Sequence, residues 1–153
     1  MAETVHPRIL VVESYGSNTK SILNHLAGSP FPLQVVSVGD AEAAITLIHK
    51  EPFDLAIIDT CLRGKMDGYD LCRALRSSVS AQQLAVILLL SGYLSLERSR
   101  GIAVGADLLL HRPVVREELM RMIQLLLAEK LLQAANTEVA TANPVERRLC
   151  SVS

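Results

Sequence analysis

Apolar and polar positions divide the chain into five repeats of an apolar run followed by a helical pattern. The apolar runs are residues 8–12, 33–38, 54–58, 84–90 and 107–110. Apolar residues at helical spacing follow in 17–27, 40–50, 69–75, 96–104 and about 115–133. This alternation predicts an α/β fold, a doubly wound five-stranded parallel sheet with helices on both faces. Right-handed crossovers place the loops after the strands on one edge.

Local signals support these boundaries. Asp40 is predicted to cap the second helix, and Gly28 and Pro52 end the first two helices. The last helix is long and strongly apolar, and the composition changes to small and polar residues after it. We therefore predict one domain over residues 7–133 and a flexible tail over 134–153.

Polar residues stand at the ends of four predicted strands: Glu13-Ser14, Asp59, Ser91-Gly92 and His111-Arg112-Pro113. A carboxylate at the end of a buried strand costs free energy unless it has a partner. In open α/β sheets, ligands and chemistry collect at the carboxyl edge of the strands. The pattern therefore predicts a functional site around Asp59.

Composition limits the classes of function. Half of the 153 residues are hydrophobic and a fifth are charged, which is typical of a globular domain. A net charge of −1 offers no basic surface for nucleic acid or anionic membranes, and aromatic residues for base stacking are scarce. We therefore expect neither nucleic acid nor membrane as a partner.

The cysteines and the N-terminus indicate a cytoplasmic protein. Cys61, Cys72 and Cys150 are an odd, widely spaced set, and this disfavours a disulfide framework or a zinc site. The first residues are polar and do not resemble a signal peptide. No apolar segment reaches transmembrane length.

With these strand ends in view, residues 7–133 resemble the receiver domain of two-component response regulators. The resemblance lies in five segments in the family's order: Arg8–Glu13, Asp54–Asp59, Met66–Arg76, Ser91-Gly92, and Gly105–Asp107 with Arg112-Pro113. It implies a flavodoxin-like strand order of 2-1-3-4-5.

The chain also departs from the family pattern. Ser14 stands where the family has a second acid, and Arg112 stands where it has Lys. Leu109 takes the place of an aromatic switch residue. The loop after Asp59 is one residue longer than usual, and Arg63 replaces its proline.

The resemblance implies a role for each site residue. Asp59 would accept a phosphoryl group, Ser91 would hydrogen-bond a phosphoryl oxygen, and Arg112 would pair with another. Glu13, Asp59 and the carbonyl of Cys61 would bind Mg²⁺. The loss of an acid at Ser14 predicts a weakened Mg²⁺ site.

Three functions remain open. The first is a non-enzymatic receiver module in a phosphorelay, phosphorylated by a histidine kinase or phosphotransfer protein. It would signal through its last helix, or through the face formed by helix 4, strand 5 and helix 5, with a homodimer as one form of output. The second is a pseudo-receiver, an interaction module that ignores phosphorylation. The third is another doubly wound enzyme or a flavin binder, although no GxGxxG, P-loop or GxSxG motif is present.

Overall fold

Strands and helices alternate along the chain as predicted. The structure is a computed structural model that describes residues 6–14, 19–92 and 95–141. The strands of the described chain are β1 (Arg8–Val12), β2 (Gln34–Val38), β3 (Leu55–Asp59), β4 (Ala85–Leu90) and β5 (Leu108–His111). The helices are α1 (Thr19–Ala27), α2 (Ala41–Lys50), α3 (Gly68–Ser77), α4 (Ser95–Ala103) and α5 (Arg116–Thr141).

The strands form one parallel sheet in the order β2-β1-β3-β4-β5. The predicted fold class and strand order are therefore confirmed. Val12 of β1 pairs with Ile58, Asp59 of β3 pairs with Leu89, and Leu90 of β4 pairs with His111. This register brings the carboxyl ends of β1, β3, β4 and β5 to one edge of the sheet.

Two aliphatic cores lie on the two faces of this sheet, because successive strand residues point to opposite sides. One face packs against α2 and α3 and includes Leu10, Ile58 and Leu88. The other packs against α1 and α5 and includes Ile9, Ile57 and Ile87. Burial on both faces explains why the central strands are almost entirely apolar.

Side-chain caps fix the beginnings of α2 and α3. As predicted, Asp40 caps α2, and its Oδ1 accepts a hydrogen bond from the backbone N–H of Ala43 at 2.7 Å. At α3, Asp67 and Asp70 form a reciprocal capping box. Gly68 follows that cap, where a Cβ would overlap the carbonyl oxygen of Asp59. Glycine is therefore required for α3 to approach the end of β3.

The last helix is longer than predicted. It continues to Thr141 instead of ending near residue 133. Ala134, Ala135, Glu138 and Ala140 favour helix, so the small and polar composition taken as a tail is compatible with helical backbone. The division at residue 133 stays a prediction, and residues 142–153 of the predicted tail lie outside the described residues. None of the described helices has the length and apolar character needed to cross a membrane.

Candidate functional site

The residues predicted to form a site lie together at the carboxyl edge of the sheet. Glu13 directly follows β1, Asp59 is the last residue of β3, and Ser91 directly follows β4. Arg112 follows β5 and precedes Pro113, to which it is joined by a cis peptide bond. The parallel sheet therefore assembles an acid, a second acid, a hydroxyl and a cation from four strand ends.

Arg112 bridges the two acids. Its Nη2 lies 2.5 Å from Oε1 of Glu13 and 3.1 Å from Oδ2 of Asp59. The side chain of Glu13 is only 1% exposed, whereas those of Asp59 and Arg112 are 14% and 16% exposed. Removing charges from water is costly, and the shared cation offsets this cost for both carboxylates.

The second carboxylate oxygen of Asp59 faces the loop that follows β3. Oδ1 of Asp59 accepts a hydrogen bond from the backbone N–H of Cys61 at 3.0 Å. The thiol of Cys61 in turn donates to Oγ of Ser91 at 3.5 Å. Sequence reasoning assigned only the carbonyl of Cys61 to the site, but its N–H and thiol link Asp59 to Ser91.

Two departures from the family pattern contact each other. Oγ of Ser14 accepts a hydrogen bond from the backbone N–H of Arg63 at 2.8 Å. Proline, which the family usually has at the position of Arg63, has no N–H to donate. The serine and the arginine together tie the end of β1 to the loop after Asp59. The sequence shows both substitutions but not the contact between them. The only hint of that contact in the sequence is that the two substitutions occur together.

Contacts also run from the site towards α4. Thr60, the neighbour of Asp59, donates through its hydroxyl to the carbonyl of Leu89 at 3.0 Å. The hydroxyl of Tyr69 donates to the carbonyl of Glu97 at 3.4 Å, and the guanidinium of Arg100 lies 4.2 Å from the Tyr69 ring centroid. Burial, reinforced by the charge of Glu97, raises the pKa of Tyr69, so this phenol stays protonated at neutral pH.

Leu109 occupies the position in β5 where the family usually has an aromatic residue. Its side chain packs against the core on the face of α2 and α3, and a Cβ on Gly101 of α4 would overlap it. The contact between Leu109 and α4 is therefore apolar and close, and it contains no hydroxyl that could move between two hydrogen-bonding positions.

The donor set fits a divalent cation only in part. Among the described residues, no group of three or more His, Cys, Asp and Glu side chains could hold a metal ion. Glu13 and Asp59 are available as carboxylates, but Arg112 already binds both. Mg²⁺ requires several oxygen ligands in near-octahedral geometry, and Ser14 offers a neutral hydroxyl that accepts from Arg63.

Comparison with known proteins identifies the family to which this fold belongs. The sequence-family model of the response regulator receiver domain matches residues 9–124. The phosphate regulon transcriptional regulatory protein PhoB of Rhizobium meliloti is 35% identical over 121 residues, which are 79% of this chain and 52% of PhoB. The chain spans about half the length of the full-length relatives it matches.

Solved structures show the same fold. A putative response regulator from Chloroflexus aurantiacus is 25% identical with a TM-score of 0.76, over 81% of this chain and 99% of the other. The receiver domain of the sensor histidine kinase PA1611 from Pseudomonas aeruginosa, with a magnesium ion in its active site cleft, is 25% identical with a TM-score of 0.73. The match covers 81% of this chain and 99% of the other.

The family model, the relatives and the solved structures agree on one family. The third hypothesis, a flavin binder or another doubly wound enzyme, is therefore set aside. The chain belongs to the response regulator receiver domain family.

Proposed function

We propose that this chain accepts a phosphoryl group on Asp59 within a phosphorelay and signals through protein–protein contacts. The observation that carries the proposal is the setting of the Asp59 carboxylate. It is partly exposed at the sheet edge, with Arg112 at 3.1 Å on one oxygen and the N–H of Cys61 at 3.0 Å on the other. Arg112 can offset the repulsion between this carboxylate and an incoming phosphoryl group, and the N–H of Cys61 orients the carboxylate.

The residues divide the work of phosphoryl transfer. An oxygen of Asp59 attacks phosphorus and forms the O–P bond, while the bond from phosphorus to the donor nitrogen breaks. Arg112 moves its contact from the carboxylate to a phosphoryl oxygen. There the charge of its planar guanidinium offsets the repulsion between the two approaching anions. Ser91 exchanges the thiol of Cys61 for a phosphoryl oxygen, to which its hydroxyl donates. These contacts position the incoming group and stabilise its charge.

Mg²⁺ binding at this site is proposed to be weak. Glu13, Asp59 and the carbonyl of Cys61 would hold the ion, and Arg112 competes for both carboxylates. When bound in a receiver, Mg²⁺ neutralises charge on the phosphoryl oxygens and on the attacking carboxylate. In this chain Arg112 supplies part of that neutralisation.

The proposed partners follow from the same role. A histidine kinase or phosphotransfer protein would donate the phosphoryl group, in the cytoplasm. A downstream protein, or a second copy of the chain, would bind the α4–β5–α5 face or α5 itself. Exposed apolar side chains lie on these helices, including Leu96 and Ile102 on α4 and Leu125 on α5. That the chain itself binds neither nucleic acid nor membrane stays a prediction.

Phosphorylation can be tested with acetyl phosphate and Mg²⁺ by intact-protein mass spectrometry. Wild type should gain one phosphoryl adduct, and Asp59→Ala should gain none. Asp40→Ala is the matched control, because it removes an exposed acid that caps α2 and lies outside the site. A folded wild-type protein that gains no adduct at high Mg²⁺ would contradict the proposal, and so would an adduct that persists in Asp59→Ala.

The Arg112 bridge favours a second candidate, the pseudo-receiver. A guanidinium that already binds Glu13 and Asp59 leaves no cation for a phosphoryl group, and its shorter contact, to the buried Glu13, holds one conformation without Asp59. In that case wild type and Asp59→Ala would bind the same immobilised partner with equal affinity, with or without acetyl phosphate. A large change of affinity on Asp59→Ala would exclude this candidate.

A further inference from the structure

Helix α5 carries apolar residues on two opposite faces. On the face that packs against the sheet, Leu119 and Leu126 are buried in the core shared with α1. On the other face, Leu125, Leu131 and Leu132 are 55%, 73% and 66% exposed. The described chain therefore buries one apolar face of α5 in its own core and leaves the second open to solvent.

The exposed face is a continuous apolar stripe. At about 100° per residue, five side chains fall within an arc of about 120°, and all are exposed: Leu125, Ala128, Leu131, Leu132 and Ala135. Between residues 125 and 135, no charged residue falls within this arc, which we call the α5 stripe. The stripe begins directly after residue 124, where the match to the receiver family ends.

The order of side-chain sizes along the α5 stripe matches a second copy of the same helix. Large and small residues alternate as Leu125, Ala128, Leu132 and Ala135. When a second α5 runs antiparallel to the first, Leu125 faces Ala135 of the second copy, and Ala128 faces its Leu132. Both contacts are centred on the level of residue 130, so a single twofold axis produces them. Facing large and small side chains interdigitate without voids, and a twofold interface requires such self-complementarity.

The size of this contact predicts a weak dimer. Two antiparallel α5 helices centred at residue 130 would overlap from residue 119 to residue 141, which is about 33 Å. A stripe of about 120° over that length covers on the order of 1,000 Å² on the two copies together, which is the lower limit for a specific interface. The apolar part lies at the centre, and polar residues such as Arg121 and Gln124 lie towards the ends. The chain should therefore be a monomer in dilute solution.

We propose that the α5 stripe is a homodimerisation surface, on which a second copy of this chain docks with its α5 antiparallel. Helix α5 begins near the edge of the sheet that carries Asp59, so this pairing leaves the two sites at opposite ends of the dimer. Both sites stay accessible to a phosphoryl donor. The dimer gives a definite partner to the protein–protein contacts of the proposed function, on which its role in signalling rests. The association itself needs no phosphoryl group.

Sedimentation velocity of the full-length chain between about 10 μM and about 1 mM tests the surface. Wild type should shift from monomer to dimer across this range. Leu132→Glu places a charge at the centre of the stripe and should stay monomeric, with the circular dichroism of wild type. Leu96→Glu is the matched control, because Leu96 is 76% exposed on α4 and lies outside the stripe. It should dimerise like wild type.

Two kinds of result in this experiment would overturn the proposal. One is a wild-type chain that stays monomeric at all concentrations. The other is a dimer that persists in Leu132→Glu or is lost in Leu96→Glu, because either result assigns the interface to a different surface.

Cysteine cross-linking tests the antiparallel arrangement independently. Leu131 lies beside Leu131 of the second copy at the twofold axis, whereas the two copies of Leu125 are about 15 Å apart along the helices. With the three native cysteines replaced by alanine, Leu131→Cys should form disulfide-linked dimers on mild oxidation, and Leu125→Cys should not. Linkage of Leu125→Cys without linkage of Leu131→Cys would indicate a parallel pair and contradict the proposal. Linkage of neither, in a chain that dimerises, would place the interface elsewhere.

Dimerisation and phosphorylation are separate results. Asp59→Ala should dimerise like wild type, because the site lies outside the stripe. Leu132→Glu should gain the same phosphoryl adduct from acetyl phosphate as wild type, because its site is unchanged. A chain that is phosphorylated but stays monomeric contradicts only the dimer, and a dimer that gains no adduct contradicts only the phosphoryl acceptor role of Asp59.

Discussion

Arg112 places a single guanidinium nitrogen between two carboxylates, one of which is almost fully buried. Lysine at this position would bring a compact ammonium, whereas arginine brings a planar fork that stays charged at all relevant pH values. A permanently charged group in this position competes with any cation that needs the same oxygens. The identity of residue 112 therefore determines how strongly the site binds a metal ion.

Metal affinity should rise when an acid is restored beside this bridge. Ser14→Asp adds a charge whose attraction to the divalent ion, at about 4 Å and an effective dielectric near 20, is about 8 kcal/mol before water compensates. If about 1.4 kcal/mol of this survives, Mg²⁺ affinity rises tenfold. Arg112→Gln should also raise it, because the competing cation is lost. Isothermal titration calorimetry measures both changes.

Ser80→Asp is the control for this experiment, since it adds the same charge at an exposed position in the loop between α3 and β4. It should leave Mg²⁺ affinity at the wild-type value. If Ser14→Asp and Ser80→Asp bind Mg²⁺ with the same affinity, the absence of an acid at position 14 does not limit the Mg²⁺ affinity of the site. Wild-type affinity equal to that of Ser14→Asp would contradict a weakened site directly.

At the scale of elements, helix α3 follows the loop after Asp59 and contains Tyr69, and both the loop and the tyrosine adjoin the site. Its capping box satisfies backbone donors that would otherwise lack a partner in the first turn. Its first residue, Gly68, allows the contact with the end of β3. The order of the loop after Asp59 therefore depends on how α3 begins.

Loss of the α3 cap should destabilise the protein modestly. Asp67→Ala should lower the free energy of unfolding by about 1 kcal/mol, because the N–H of Asp70 loses its acceptor. Urea denaturation measures the change as a lower midpoint at constant slope. Asp67→Asn keeps a good cap and removes only an exposed ion pair with Arg100, so it should stay close to wild type. A midpoint for Asp67→Asn as low as that for Asp67→Ala would assign the loss to charge.

Elements were predictable from the sequence because burial on two faces makes the strands almost wholly apolar. The end of α5 was not, since alanine and glutamate suit both an exposed helix and a linker. At the site, strand ends identified Glu13, Asp59, Ser91 and Arg112 as neighbours. The contact of Ser14 with Arg63 and that of Cys61 with Ser91 depend on loop paths, which pattern and periodicity do not determine.

At the scale of the whole molecule, one sheet serves two cores. Ile57 faces the layer of α1 and α5, and Leu88 faces the layer of α2 and α3; both are fully buried. Neither layer can keep its core if the sheet between them is lost. The described chain should therefore unfold as one cooperative unit.

Truncation on either face should lower the stability of the whole domain. Ile57→Ala and Leu88→Ala should each cost about 2–5 kcal/mol, through lost burial and the cavity left behind. Circular dichroism and tyrosine fluorescence should report the same single transition in both variants. Leu132→Ala, at a position that is 66% exposed, should change stability little. Two separate transitions in either core variant would contradict a shared core.

The hydrogen bond between Ser14 and Arg63 has a consequence for how this chain can diverge from its relatives. Proline at position 63 would remove the donor and leave the Ser14 hydroxyl without it, while an acid at position 14 can still accept from Arg63. The two positions are therefore epistatic, and the order of substitution matters. On a path towards the usual receiver sequence, the cost of proline at position 63 therefore depends on which residue stands at position 14.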